Sequence, residues 1–359
     1  MEKHNRILYY DALKIIAIYF VIFYHSNLLS TNIIKDGSPI IYTNYFTKSL
    51  LSCCVPIFFL VNGALLLNKT FCLSKHIKKI IKIVLATIIW AIITIIFLSL
   101  VHKSNLSLHE FVDILSTWKI GWINHLWFLN ALVVIYLFFP LIKLSYDCHR
   151  SYFYFFFAII MISTFGVRLL SILGEVLSYA TGKHYINYIL SLINSYNPVR
   201  GLFGYSLGYF MLGGLIAENK QAFKILTNFK CVLLIIISMF LLTAYGVMKT
   251  YMNTDRYDIV WGGYDTIFTL AITISLFLLL SRIRFSNKYQ KMFFLIGQNT
   301  MGIYLLHPIF ICLMQAYFFK IFKSQNFLHN HLFAIFILLI SLILCITLKR
   351  IPIVKNLFI

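Results

Sequence analysis

The sequence predicts an all-α fold: a polytopic integral membrane bundle of about ten transmembrane helices. Three observations carry this. Apolar residues make up 60% of the chain and charged residues only 12%, against roughly 45–50% and ~25% in soluble globular proteins. Mean hydropathy is +0.85. The apolar residues are gathered into runs close to the ~20 residues that cross a bilayer. So few charges cannot coat a water-soluble surface. The 359 residues are therefore read as a single integral membrane domain, 1–359, and not as the two or three soluble domains that this length suggests.

The ten runs lie near 8–28, 45–67, 80–101, 125–142, 152–171, 199–217, 231–248, 262–281, 296–319 and 332–348. The first is no cleaved signal peptide: it is too long, carries Asp11 and Lys14, and precedes no small-x-small cleavage site. None of the runs shows the ten-residue alternation of a membrane barrel. The longest segments between runs, around 102–124 and 172–198, carry Trp118, Trp122, Tyr179, Tyr185 and Tyr188. They suit the membrane surface or a fold back into the bundle.

Lys and Arg number 31 against 11 Asp and Glu, a net charge of +20. These basic residues are scattered between apolar runs and build no continuous stripe, which speaks against nucleic acid. Counted over alternate loops, 19 fall on the side of the N-terminus and 10 on the opposite side. The positive-inside rule then places both termini in the cytoplasm. The seven cysteines are odd in number and form no C-x-x-C. No disulfide framework and no metal site is expected.

Ionisable side chains within a membrane are costly, about 2.5–3.5 kcal/mol at mid-bilayer, so they are the informative positions. The first run carries Asp11, Lys14 and His25. Lys14 and His25 share a helix face, about 16 Å apart along the axis, and Asp11 lies one turn before Lys14. One reading is an interfacial ion pair with a terminal histidine. The other is a functional stripe of acid, base and imidazole. The second run contains Pro56 and Asn62-Gly63, a candidate close-packing site for a neighbouring helix. Before the third run, Lys79 and Lys82 stand one turn apart, suited to phosphate groups or simply to the positive-inside rule. The fourth opens with His125-Leu126-Trp127, an aromatic belt or part of a site, and Asn130 one turn deeper needs a partner. Arg168, Glu175, Arg200 and Asp265 cluster toward external ends, pairing among themselves or lining a cleft. In the ninth run, Pro308 frees a backbone carbonyl beside His307. His307 is either structural or part of the site.

Taken in order, these segments resemble the acyltransferase-3 family of membrane acyltransferases. The matching stretches are Asp11-Ala12-Leu13-Lys14 with His25, Pro56 through Gly63, and Lys79/Lys82 followed by Trp90. They continue with His125 through Leu129, Tyr136 and Pro140, Gly208 through Gly213, and Ile296 through Pro308. The chain departs from the family's usual residues at Lys14 and Lys79 (Arg), Asn62 (Ser) and Ala86 (Pro). Lysine keeps the charge but loses the planar fork that grips phosphate.

The resemblance implies a stand-alone membrane O-acyltransferase in a bacterial inner membrane, without a fused hydrolase-like domain. Its expected reaction moves an acetyl group from acetyl-CoA to a hydroxyl of a cell-envelope polysaccharide or lipid-linked glycan. Lys14, Lys79 and Lys82 would hold the CoA phosphates. His25 would be the base or the acyl carrier, and Asp11 would orient Lys14. His125, Trp127, Asn130 and His307 would shape the acceptor side. The expected partners are membrane lipids, acyl-CoA and the glycan, with no nucleic acid. The alternative is a transporter or flippase of a lipid-linked sugar, for which the chain shows no internal repeat.

Overall fold

The computed structural model describes residues 7–26, 31–35, 37–117, 123–182, 185–201, 203–253, 255–321 and 326–358. Trp118 and Trp122 lie outside the described residues. Among the described residues the structure is helical, with no strand. The helices run α1 (Leu8–Ser26), α2 (Pro39–Leu51), α3 (Cys54–Leu66), α4 (Leu73–Val101) and α5 (Leu108–Thr117). Then come α6 (Trp127–Cys148), α7 (Arg150–Met161), α8 (Val167–Thr181), α9 (Tyr185–Ser195), α10 (Gly204–Glu218) and α11 (Asn228–Asn253). The chain continues with α12 (Ile267–Arg282), α13 (Asn287–Gly297), α14 (Thr300–Ile321), α15 (Phe327–Leu348) and α16 (Pro352–Lys355).

Among the described residues, eight helical segments are long and apolar enough to cross a membrane, with α2–α3 and α7–α8 each counted as one. The chain is a multi-pass membrane protein. The sixth and eighth expected spans are present as α10 and α12, of 15 and 16 residues.

Several boundaries differ from the sequence reading, each for a local reason. The second span breaks at Ser52–Cys53. Pro56 sits in the first turn of α3 and has no N–H for the carbonyl of Ser52. The Ser52 and Cys53 side chains turn back onto the carbonyls of Ser49 and Leu50. The third span begins at Leu73, so Lys75, Lys78, Lys79 and Lys82 stand on α4 itself, not in a segment before it. No Gly or Pro interrupts this stretch of Lys, Ile and Leu. The fifth span runs on to Thr181 through a π turn at Ile162–Gly166, and stops at Gly182 with φ +70°, a left-handed cap. The ninth is two helices parted at Gln298–Asn299. There the Asn299 amide donates to Leu295 O at 2.8 Å and its oxygen accepts from Lys349 Nζ at 2.7 Å.

Outside the spans, α5 opens on a capping box. Ser107 N–H and Oγ both donate to Glu110 Oε2, at 2.8 and 2.7 Å, and Glu110 N–H donates back to Ser107 Oγ. These bonds hold the Glu110 carboxyl below the usual carboxylate range, the backbone bond first.

The chain forms two compact units. The first is 1–17, 30–70 and 138–285; the second is 18–29, 71–137 and 286–359. In the first, α3 and α10 pack backbone against backbone. A Cβ on Gly63 would stand 1.7 Å from Phe210 O, and one on Gly213 would stand 1.9 Å from Leu60 O. Gly63 of the Asn62-Gly63 pair is thus a close-packing site, as in small-residue helix crossings. In the second, Trp90 of α4 donates to Leu357 O at 3.1 Å and ties down the chain beyond α16.

Candidate active site

Within the first unit, Asp11 and Lys14 form an ion pair at 2.7 Å across one turn of α1. The Asp11 side chain is 2% exposed and that of Lys14 19%. A buried carboxylate needs such a partner.

The second half of α1, from Ile18 on, belongs to the second unit and ends in His25 and Ser26. Two of its last carbonyls accept from side chains of α14 and α15. Gln315 Nε2 donates to Ser26 O at 3.2 Å and Asn330 Nδ2 to Phe23 O at 3.4 Å. Tyr19 hydrogen-bonds His331 of α15. The turn that carries His25 is therefore fixed in place, while His25 itself is exposed.

Three imidazoles meet in this unit. The His25 and His307 ring centres are 5.4 Å apart, and those of His125 and His307 are 5.9 Å apart. His125 lies in the 3-10 turn Asn124–Leu126, and its carbonyl accepts from the Tyr304 hydroxyl. His307 is fully buried on α14. Its Nδ1 lies 2.6 Å from Tyr304 O. A carbonyl only accepts, so Nδ1 carries the proton. That carbonyl is available because Pro308, four residues on, has no N–H to give it. The other nitrogen, Nε2, has no hydrogen-bond partner among the described residues. No group of three His, Cys, Asp or Glu among the described residues is arranged to hold a metal ion.

The remaining expected residues divide. Lys79 Nζ donates to the Tyr136 hydroxyl at 2.9 Å and lies 4.7 Å from that ring's centre. Lys82 is exposed. Trp127 starts α6, half-buried. Asn130 lines a cavity of about 450 Å³ with Val84, Thr87, Ile88, Leu115 and Val133, a mostly apolar setting. The structure thus gathers His25, His125 and His307, and gives Asn130 different surroundings.

In the first unit Arg168, Glu175 and Asp265 form ion pairs, and Arg168, Arg200 and Asp265 line a cleft. Arg168 meets Asp265 at 3.3 Å and donates to the Tyr257 hydroxyl and Gly262 O. Glu175 meets Lys249 at 3.3 Å and accepts from the Tyr245 hydroxyl. A cavity of about 420 Å³ opens beside Arg168, Asp265, Arg200, Asn194, Asn197 and Tyr205.

Sequence reasoning passed over His76, Tyr304 and the weight of Tyr136. A signal was present: Tyr136 and Tyr304 each stand four residues before a proline inside a helix, Pro140 and Pro308.

Long apolar helices that bring three imidazoles together, one of them fully buried, define a membrane protein with a candidate acid–base site. The chain belongs to the acyltransferase-3 family, whose profile, described as an acyltransferase domain, matches residues 7–350. It is a membrane acyltransferase. No curated protein and no solved structure gives a significant match.

Proposed function

We propose that the protein is an O-acetyltransferase of a bacterial inner membrane. It moves the acetyl group of acetyl-CoA to a hydroxyl of an envelope polysaccharide or lipid-linked glycan. The observation that supports this best is the meeting of His25, His125 and His307 in a chain of this family. Acyl transfer to a hydroxyl needs a base at the attacking oxygen. An exposed imidazole on a fixed helix end, backed by a buried one, suits that task.

Both termini face the cytoplasm, so Lys14, Lys79 and Lys82 meet the anionic donor and attract its phosphates. Asp11 orients Lys14. The thioester reaches His25, which takes the proton of the acceptor hydroxyl. The oxygen attacks the thioester carbonyl, the C–S bond breaks, and the proton passes to the departing thiolate. His125 and Trp127 flank the acceptor, and Asn130 stands one turn deeper on α6.

The test is CoA release by the protein in lipid vesicles with a glycan acceptor. His25→Ala is expected to abolish turnover, and wild-type turnover would sink the role. Lys14→Ala is expected to weaken acetyl-CoA binding. Mass spectrometry of envelope glycans with and without the protein would then show which hydroxyl loses its acetyl group.

A further inference from the structure

The two ring nitrogens of His307 have distinct surroundings. Nδ1–H is spent on Tyr304 O at 2.6 Å. Nε2 is left as a bare acceptor with no partner among the described residues, inside a fully buried ring. A buried polar atom without a partner costs stability and calls for an explanation. The proline that makes this arrangement possible is costly to a helix interior as well. Both costs fall at one place, 5.4 Å from the His25 ring centre.

We propose that His307 is a positioning residue for His25, and that its Nε2 accepts a hydrogen bond from a ring N–H of His25 during the reaction. The proposal rests on acyl transfer at His25. When His25 takes the acceptor proton it becomes an imidazolium with an N–H on each nitrogen. One of these N–H groups faces the reacting oxygen and later returns its proton to the thiolate. The other is held by His307 Nε2. The logic is that of a base oriented by a third group, with a neutral imidazole as the orienting group. The Tyr304 carbonyl fixes the tautomer that can perform it. His307 is fully buried and acts through His25, without touching the acceptor.

Asparagine and glutamine separate this role from a structural one. In His307→Asn the side-chain amide would fall where Nδ1 is, keep the bond to Tyr304 O and remove the distal acceptor. In His307→Gln an amide oxygen would stand near the position of Nε2. The measurements are acetyl-CoA turnover in source-cell membranes, which bring their own acceptor, and thermal unfolding of the purified variants. His307→Asn is expected to keep its unfolding temperature and lose on the order of 10²-fold in kcat, at an unchanged KM for acetyl-CoA. His307→Gln is expected to recover part of that loss. The reverse order, an active Asn variant and an inactive Gln variant, would overturn the proposal. A wild-type kcat in both would do the same.

A readout apart from activity is the 15N spectrum of histidine-labelled protein in vesicles, with His307 assigned by the loss of its signal in the Asn variant. A proton on Nδ1 and none on Nε2 is expected; a protonated Nε2 overturns the proposal. Wild-type membranes that transfer no acetyl group would instead refute the O-acetyltransferase reading, and the tautomer would stand on its own.

Discussion

His76 Nε2 donates to the carbonyl oxygen of Tyr136 at 2.8 Å, from α4 to α6. Tyr136 lies four residues before Pro140, so its carbonyl has lost its helical donor. The histidine supplies the missing proton and joins two helices in doing so. His307 and Tyr304 repeat the arrangement within α14. In both cases a proline inside a long apolar helix opens a carbonyl, and an imidazole closes it.

His76→Ala should therefore leave the Tyr136 carbonyl unsatisfied and lower stability by about 1–3 kcal/mol. Adding Pro140→Ala should restore part of the loss, because residue 140 then has an N–H for that carbonyl. Thermal unfolding in detergent would measure both. A double variant no more stable than His76→Ala alone would contradict this account.

The Asp11–Lys14 pair has a structural side distinct from donor binding. Lys14→Ala strips a carboxylate that is 2% exposed of its lysine and should cost about 3–5 kcal/mol. Asp11→Asn combined with Lys14→Met should recover much of that stability. It should not recover acetyl-CoA affinity, measured by titration of the purified protein.

Lys79 and Lys82 share α4 but not their surroundings. Lys79→Ala and Lys82→Ala should each raise KM for acetyl-CoA, less so at high salt, with kcat nearly unchanged. Tyr136→Phe removes one hydrogen bond from Lys79 but leaves its charge. It should cost only about 0.5–1.5 kcal/mol in stability and leave KM close to wild type.

Gly63→Ala and Gly213→Ala each drive a methyl group into a backbone carbonyl of the facing helix. Each should cost about 1–3 kcal/mol, read as a lower unfolding temperature. Gly37→Ala, with open space around it, should change little and serves as the control.

Membrane class, family and the ten apolar runs were legible in the chain alone, while the short helices α5, α9 and α16 were not. Runs of apolar residues must lie in lipid, and their length is set by the bilayer. Asp11, Lys14 and His25 could be placed on one helix as well, because a helix's period is local. Which residues meet was decided by tertiary packing. His125 and His307 are 182 positions apart in the chain, and no periodicity brings their rings together. Only the packing of the turn before α6 against α14 does. The break at Ser52–Cys53 was likewise hidden in an apolar run, and the turn at Asn299 was marked only by the polar Gln298-Asn299-Thr300 within one, since both depend on which carbonyls find a donor. The two Tyr-x-x-x-Pro spacings were legible, but their meaning was not. A proline says that a carbonyl is open; only the fold says which histidine closes it.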